Sequence, residues 1–208
     1  MAKRSEVSGY VGYRIWQIEH GSGIRDAKAE LANLRRGLGK QPGELPELWG
    51  SFLEGIPEEL MGKGKEPSPA ESAIYTTMTL YALAQQGSNP DIHSVNQENM
   101  SLGRAARLYA GNDEDVRNRI ERRLKSILSS ETIEDMEHGI RGIIQLIKTK
   151  DIPLDFPRLA EDLYTYSFPE GKEQIRLRWA RDFYRWEKPD IDRWEKPDID
   201  EEQEKETN

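Results

Sequence analysis

Cysteine is absent from the 208 residues. That excludes disulfides, thiolate metal sites and a thiol nucleophile, and it fits the reducing environment of the cytoplasm, where we expect the protein. Histidine is nearly as scarce. His20, His93 and His138 stand far apart, and none belongs to an HExxH pair or another metal-spaced set. Glu134 and His138 lie four apart on one helix face, which is half a metal site and more simply a surface pair. The serines lack a GxSxG elbow, and the glycines form neither a phosphate-binding P-loop nor a dinucleotide fingerprint. With 38 acidic residues, paired carboxylates discriminate nothing. No residue set supports an enzyme, so no catalytic site, metal or cofactor is expected. Long apolar runs are missing too, with nothing near the ~20 residues that span a bilayer. Met1 to Ser8 is polar without an apolar core, which predicts no secretory signal.

Charge is abundant, 33% of the residues, against 36% hydrophobic ones. The formal net charge of −8 opposes a polyanionic partner, but it is unevenly distributed. Residues 186–208 hold 10 acidic and 4 basic side chains, whereas residues 1–185 hold 28 and 26. Most of the acidity therefore belongs to the tail. The tail also contains a duplication: Arg185 to Asp192 and Arg193 to Asp200 both read RWEKPDID. A local duplication accounts for it without a function, and the composition predicts disorder.

The body reads as successive helices. Apolar residues recur at helical spacing in Tyr10 to His20, in Ile24 to Leu38, and in a short helix from Pro46 through Trp49, Phe52 and Leu53. After a loop from Gly62 to Pro69, Ser68 caps a helix from Ala70 to Gln86 whose apolar residues run most of the way round, so it should be central. Ser101 caps a helix through Leu102 and Leu108, and acidic residues at 113–115 open the Val116 to Leu128 helix. Glu131 to Lys148, Leu159 to Tyr166 and Lys172 to Arg185 complete the set, with Pro153 and Pro157 read as bracketing a turn. No segment alternates with a period of two. The expectation is an all-α bundle of eight to nine helices, in two small packed sub-bundles. An N-terminal helical region would occupy 1–112, a C-terminal bundle 113–185 and the acidic tail 186–208.

Arginines are the informative side chains. Arg35 and Arg36 end one helix, Arg104 follows Ser101-Leu102-Gly103, and Arg119, Arg122 and Arg123 project from the polar side of another. Arg178, Arg181 and Arg185 share a face at i, i+3 and i+7. A planar guanidinium binds two oxygens of one phosphate, and such contacts hold a strand without reading it. Each arginine also has a plain reading, as a solvated charge, an intrahelical pair or compensation of a helix dipole.

Seven segments in order carry a resemblance: LRRGLGKQPGELPELW (Leu34 to Trp49), YTTMTLYALAQQG (Tyr75 to Gly87), SLGRA (Ser101 to Ala105), ERRLKSIL (Glu121 to Leu128), HGIRGIIQLIK (His138 to Lys148), PLDFPRLAEDLY (Pro153 to Tyr164) and RLRWARDFY (Arg176 to Tyr184). Together they resemble CasB, the small subunit of the type I-E CRISPR Cascade complex, over about Tyr10 to Arg185. The resemblance implies a helical, non-catalytic protein present as two copies beside the CasC backbone, the large CasA subunit and a guide RNA. There it would stabilise the target and displaced DNA strands of the R-loop. Onto that role map Arg35, Arg36, Arg104, Arg122, Arg123 and Arg141, then Arg178 and Arg181, forming one local basic stripe. Arg176, on the apolar side of its helix, is expected in a buried ion pair. The alternative is a protein–protein scaffold whose arginines meet acidic partner surfaces.

Overall fold

The computed structural model describes residues 2–20, 27–87 and 95–185. The tail with its repeated octapeptide, His93 and the Gly21-Ser22-Gly23 break lie outside them. The architecture is all-α, as expected, with no strands among the described residues and one isolated bridge between Asn96 and Leu154. In chain order the helices are α1 (Ala2–His20), α2 (Ala27–Arg36), α3 (Trp49–Phe52), α4 (Pro69–Ala84), α5 (Leu102–Ala110), α6 (Glu114–Leu128), α7 (Ile133–Lys148), α8 (Phe156–Tyr166) and α9 (Pro169–Tyr184). Short 3-10 turns at Pro46–Leu48 and Glu58–Leu60 surround α3.

α4 is the axis of the molecule. Ser68 and Glu71 form a reciprocal capping box and Pro69 occupies the first turn, so the start is fixed locally. From Ala70 onward nearly every side chain is buried, because α1, α2, α3, α7 and α8 all pack against this helix. One hydrophobic core runs from Val7 on α1 to Phe183 on α9. Packing also crosses the 112/113 boundary, since α1 lies along α8 and α5 along α9.

Two helices begin earlier than periodicity suggests. α1 starts at Ala2, and in the polar stretch before Tyr10 Val7 is the one buried apolar side chain, in register with Val11, Ile15 and Ile18, while Arg4 donates to Gln174 of α9. α8 starts at Phe156, with Asp155 as its cap and Pro157 in its first turn rather than in a turn before it. Proline costs nothing there, since that amide has no intrahelical acceptor. Two glycines set the last close approaches. A Cβ on Gly103 would lie 2.4 Å from the Trp179 carbonyl oxygen, and one on Gly171 only 1.8 Å from that of Thr165. The first lets α5 press onto the backbone of α9, and the second lets α9 fold back on the end of α8.

Candidate functional site

The loop before α5 and the start of α8 are laced together. Leu154 donates its amide to the Val95 carbonyl, Gln97 to that of Leu154, and Asp155 to that of Met100. Asp155 then does two things with its carboxylate: Oδ1 caps α8 by accepting the Arg158 amide at 2.9 Å, and Oδ2 accepts the Asn99 amide at 2.8 Å. Ser101 caps α5 in the same way, accepting from the Arg104 amide. Two helix N-termini are thereby brought side by side, each with an arginine at its third position.

That placement is unfavourable in isolation, since the N-terminal end of a helix dipole repels cations. Yet Arg104, Arg158 and Arg185 all line one pocket of about 170 Å³, together with Asn99, Ser101 and Asp182. Arg185 arrives from the end of α9, which Gly103 admits against α5. Asp182 offsets part of the charge through an ion pair with Arg158 at 3.3 Å. Three guanidiniums thus line one concavity beside two capped helix N-termini, one of them capped by the Asp155 carboxylate. Arg158 escaped the sequence reading, although Ser101-Leu-Gly-Arg104 and Asp155-Phe-Pro-Arg158 carry the same signal of a cap followed three residues later by arginine.

A second basic group lies along α7. Arg141 lines a groove of about 140 Å³ with Lys40, Pro42, Glu137 and His138. Lys148, two turns further along the same face at about 10 Å of helix rise, reaches the carbonyls of Leu83 and Gln86 at the end of α4. Arg35 joins it there, donating to the Ala82 carbonyl at 3.4 Å. Burial and then the Arg35 charge hold the Lys148 ammonium below its ordinary pKa. Arg35 thus compensates the dipole of α4, not only that of its own helix.

The other expected residues are placed as follows. Arg36 is exposed and pairs with Glu47 at 2.9 Å. Arg122 and Arg123 are exposed on α6, Arg122 donating to the Asn118 carbonyl and Arg123 lying beside Gly142 of α7. Arg181 is exposed on α9. Arg178 is taken up inside the molecule: it pairs with Asp162, whose side chain is 2% exposed and also accepts the Trp179 indole N–H. Burial, followed by the nearby Arg158 charge, lowers the Arg178 pKa. Arg176 is structural, as expected, but through neutral partners. It donates to the Leu128 carbonyl at 2.8 Å and lies over the Tyr166 ring. Arg35 lies with Lys148 at the end of α4, Arg141 stands on the same helix as Lys148, Arg123 lies beside Gly142, and Arg104 lines its pocket with Arg158 and Arg185. Among the described residues no group of three or more His, Asp or Glu side chains could hold a metal ion.

The model of the CRISPR-associated protein Cse2 family matches residues 30–184. Among solved structures, CasB from Thermobifida fusca is 29% identical and superposes with a TM-score of 0.71, covering 86% of this chain and 97% of that one. M. ruber CasB is 25% identical with a TM-score of 0.58, covering 77% and 86%. CasB from Thermus thermophilus, at 22% identity and a TM-score of 0.60 over 84% and 97%, shares the fold. No curated protein matches the chain.

Proposed function

The chain belongs to the CRISPR-associated Cse2 family, and from that premise we propose that it is the non-catalytic small subunit of a type I-E RNA-guided surveillance complex, Cascade. In this reading it holds nucleic-acid backbone without sequence preference and so stabilises the target and displaced strands of the R-loop in antiviral defence. Two copies sit beside the CasC backbone and the large CasA subunit, with guide RNA and target DNA as the nucleic-acid partners. The observation that carries the reading is the convergence of Arg104, Arg158 and Arg185 on one pocket between two helix N-termini. Guanidiniums that line one concavity suit an anionic group such as a phosphate, which they can hold through two oxygens. Arg141, Lys40, Arg35, Arg36, Arg122, Arg123 and Arg181 extend the surface. In RNA-guided recognition base pairing reads the sequence, which leaves the protein to hold backbone.

Replacing Arg104 and Arg185 by alanine in the assembled complex should weaken strand retention by a similar factor on unrelated sequences, because phosphate contacts are not base-specific. A loss confined to one sequence would contradict the reading. A second reading, a purely protein–protein scaffold, is favoured by the exposed Tyr13 (53%), Trp16 (56%) and Trp49 (50%). It predicts that the same substitutions disturb assembly while complexes that do form keep full strand affinity.

A further inference from the structure

Tyr184 ends α9 and is 59% exposed, more than any other large apolar or aromatic side chain among the described residues. Single exposed apolar residues are common, so exposure alone assigns nothing. What sets Tyr184 apart is how its ring is held. The hydroxyl donates to Glu121 of α6, which also pairs with Lys125 at 2.6 Å. Phe183 meets the ring edge-on, with centroids 5.4 Å apart and planes at 87°. Such a neighbour covers at most one of the two faces. The exposed Trp16, by contrast, already has His20 stacked on it, with planes at 20°. The Tyr184 ring is therefore fixed by its hydroxyl and by Phe183, with room on a face for a flat partner.

The surroundings restrict what that partner is. Arg185 follows Tyr184 directly and lines the pocket shared by Arg104 and Arg158. Arg181 lies one turn back, on the exposed stripe of α9 that also carries Leu177. On α6, the hydrogen bond to Glu121 raises the phenol pKa, while the Lys125 and Arg117 charges pull it back. Glu121, Glu114 and Asp182 pair with Lys125, Arg117 and Arg158 in turn, which leaves Arg181 and Arg185 as surplus positive charge. A flat group attached to an anion fits the open ring and the charge together. In a single strand every sugar carries a base beside its phosphate, so a phosphate held at Arg185 brings a base to the residue next to it.

We propose that Tyr184 is a stacking platform, on which a base of the held single strand lies while the neighbouring phosphates meet Arg185 and Arg181. Single-strand binders combine cationic tracks with aromatic rings in this way, and the contact tolerates any sequence because every base has a π face. The inference rests on the nucleic-acid reading above and adds a base contact to the backbone contacts.

The test compares the affinity of the assembled complex for two single-stranded probes, an oligothymidylate not complementary to the guide RNA and an abasic deoxyribose-phosphate oligomer of the same length. Tyr184→Ala should weaken oligothymidylate binding about fivefold or more and leave the abasic oligomer within about twofold of wild type. Tyr184→Phe keeps the ring without the hydroxyl and should hold both affinities at the wild-type level. Neither variant removes a phosphate contact, so the salt dependence should stay unchanged in both. Equal losses on the two oligomers, a loss in Tyr184→Phe as large as in Tyr184→Ala, or no loss in either variant would each overturn the proposal. So would complexes that take up fewer copies of Tyr184→Ala while each copy present binds oligothymidylate fully, which would make the occupant a protein surface. Any of these results with both oligomers still weakened by Arg104→Ala with Arg185→Ala removes the stacking alone. Loss of that dependence removes the nucleic-acid reading with it.

Discussion

The α8–α9 seam and the outer face of α6 are both rich in arginine, and they use it in opposite ways. In the seam, Arg178 and Arg158 are matched to carboxylates, Asp162 and Asp182, and Arg176 fills the end of α6 by donating to the Leu128 carbonyl. On α6, Arg119, Arg122 and Arg123 are exposed, as is Lys125, which pairs with Glu121 of the same helix at 2.6 Å. The first set holds helices together. The second set is exposed, and Arg122 donates to the Asn118 carbonyl of its own helix. The Arg104–Arg158–Arg185 pocket draws on the seam, since Arg158 belongs to α8 and Asp182 to α9. The lesson is that the number of arginines says nothing about binding until the internal carboxylates have been assigned.

Substitutions separate these roles, and the largest effects belong to the buried pairs. Arg14 and Glu30, only 7% and 8% exposed, form such a pair between α1 and α2 at 2.8 Å. Removing one member of a buried pair leaves an uncompensated charge, so Arg14→Ala or Asp162→Ala should cost about 3–5 kcal/mol in urea unfolding. A cost below about 1 kcal/mol would erase the distinction drawn here. Next comes Gly103→Ala, whose new methyl group meets the Trp179 carbonyl. It should cost about 1–3 kcal/mol and, by pushing α9 off α5, should also reduce strand retention through displacement of Arg185. A stability loss with full retention would mean that the pocket does not depend on the seam. Arg36→Ala breaks an exposed pair with Glu47 and should change stability by less than about 1 kcal/mol. The smallest stability effect is expected for Arg122→Ala with Arg123→Ala, within about 0.5 kcal/mol of wild type. That double variant should nevertheless lower the salt dependence of strand binding, which no substitution in the buried pairs should do while the fold is intact.

The sequence made the helices legible where local signals were complete. α4 shows its burial in apolar residues that run most of the way round, and Ser68 and Ser101 cap the helices assigned to them, while Asp113, read only as part of an acidic first turn, turns out to be a cap. The start of α1 was obscured because its two polar turns bury a single apolar side chain, Val7, so no periodicity could develop. The start of α8 was obscured because proline carries the same local signal in a turn and in a first helical turn. Among the site residues, Arg104 and Arg141 were found through their motifs, and the structure places both in concave sites. What stayed hidden depended on contacts between distant elements. The Arg178–Asp162 pair joins two helices across a sharp turn that Gly171 permits. Arg158 becomes informative only once Asp155 draws Asn99 to α8. Glu137 looked like one acid among 38 until the fold set its carboxylate against the Gly39 amide.

The central claim is that the Arg104–Arg158–Arg185 pocket holds phosphate. Its most direct test is the salt dependence of single-strand affinity in the assembled complex, wild type against Arg104→Ala with Arg185→Ala. With about four phosphates engaged, the log–log slope should lie near −3 and should become shallower by about 1.4 when two contacts are removed. A slope identical in the two proteins would contradict the account.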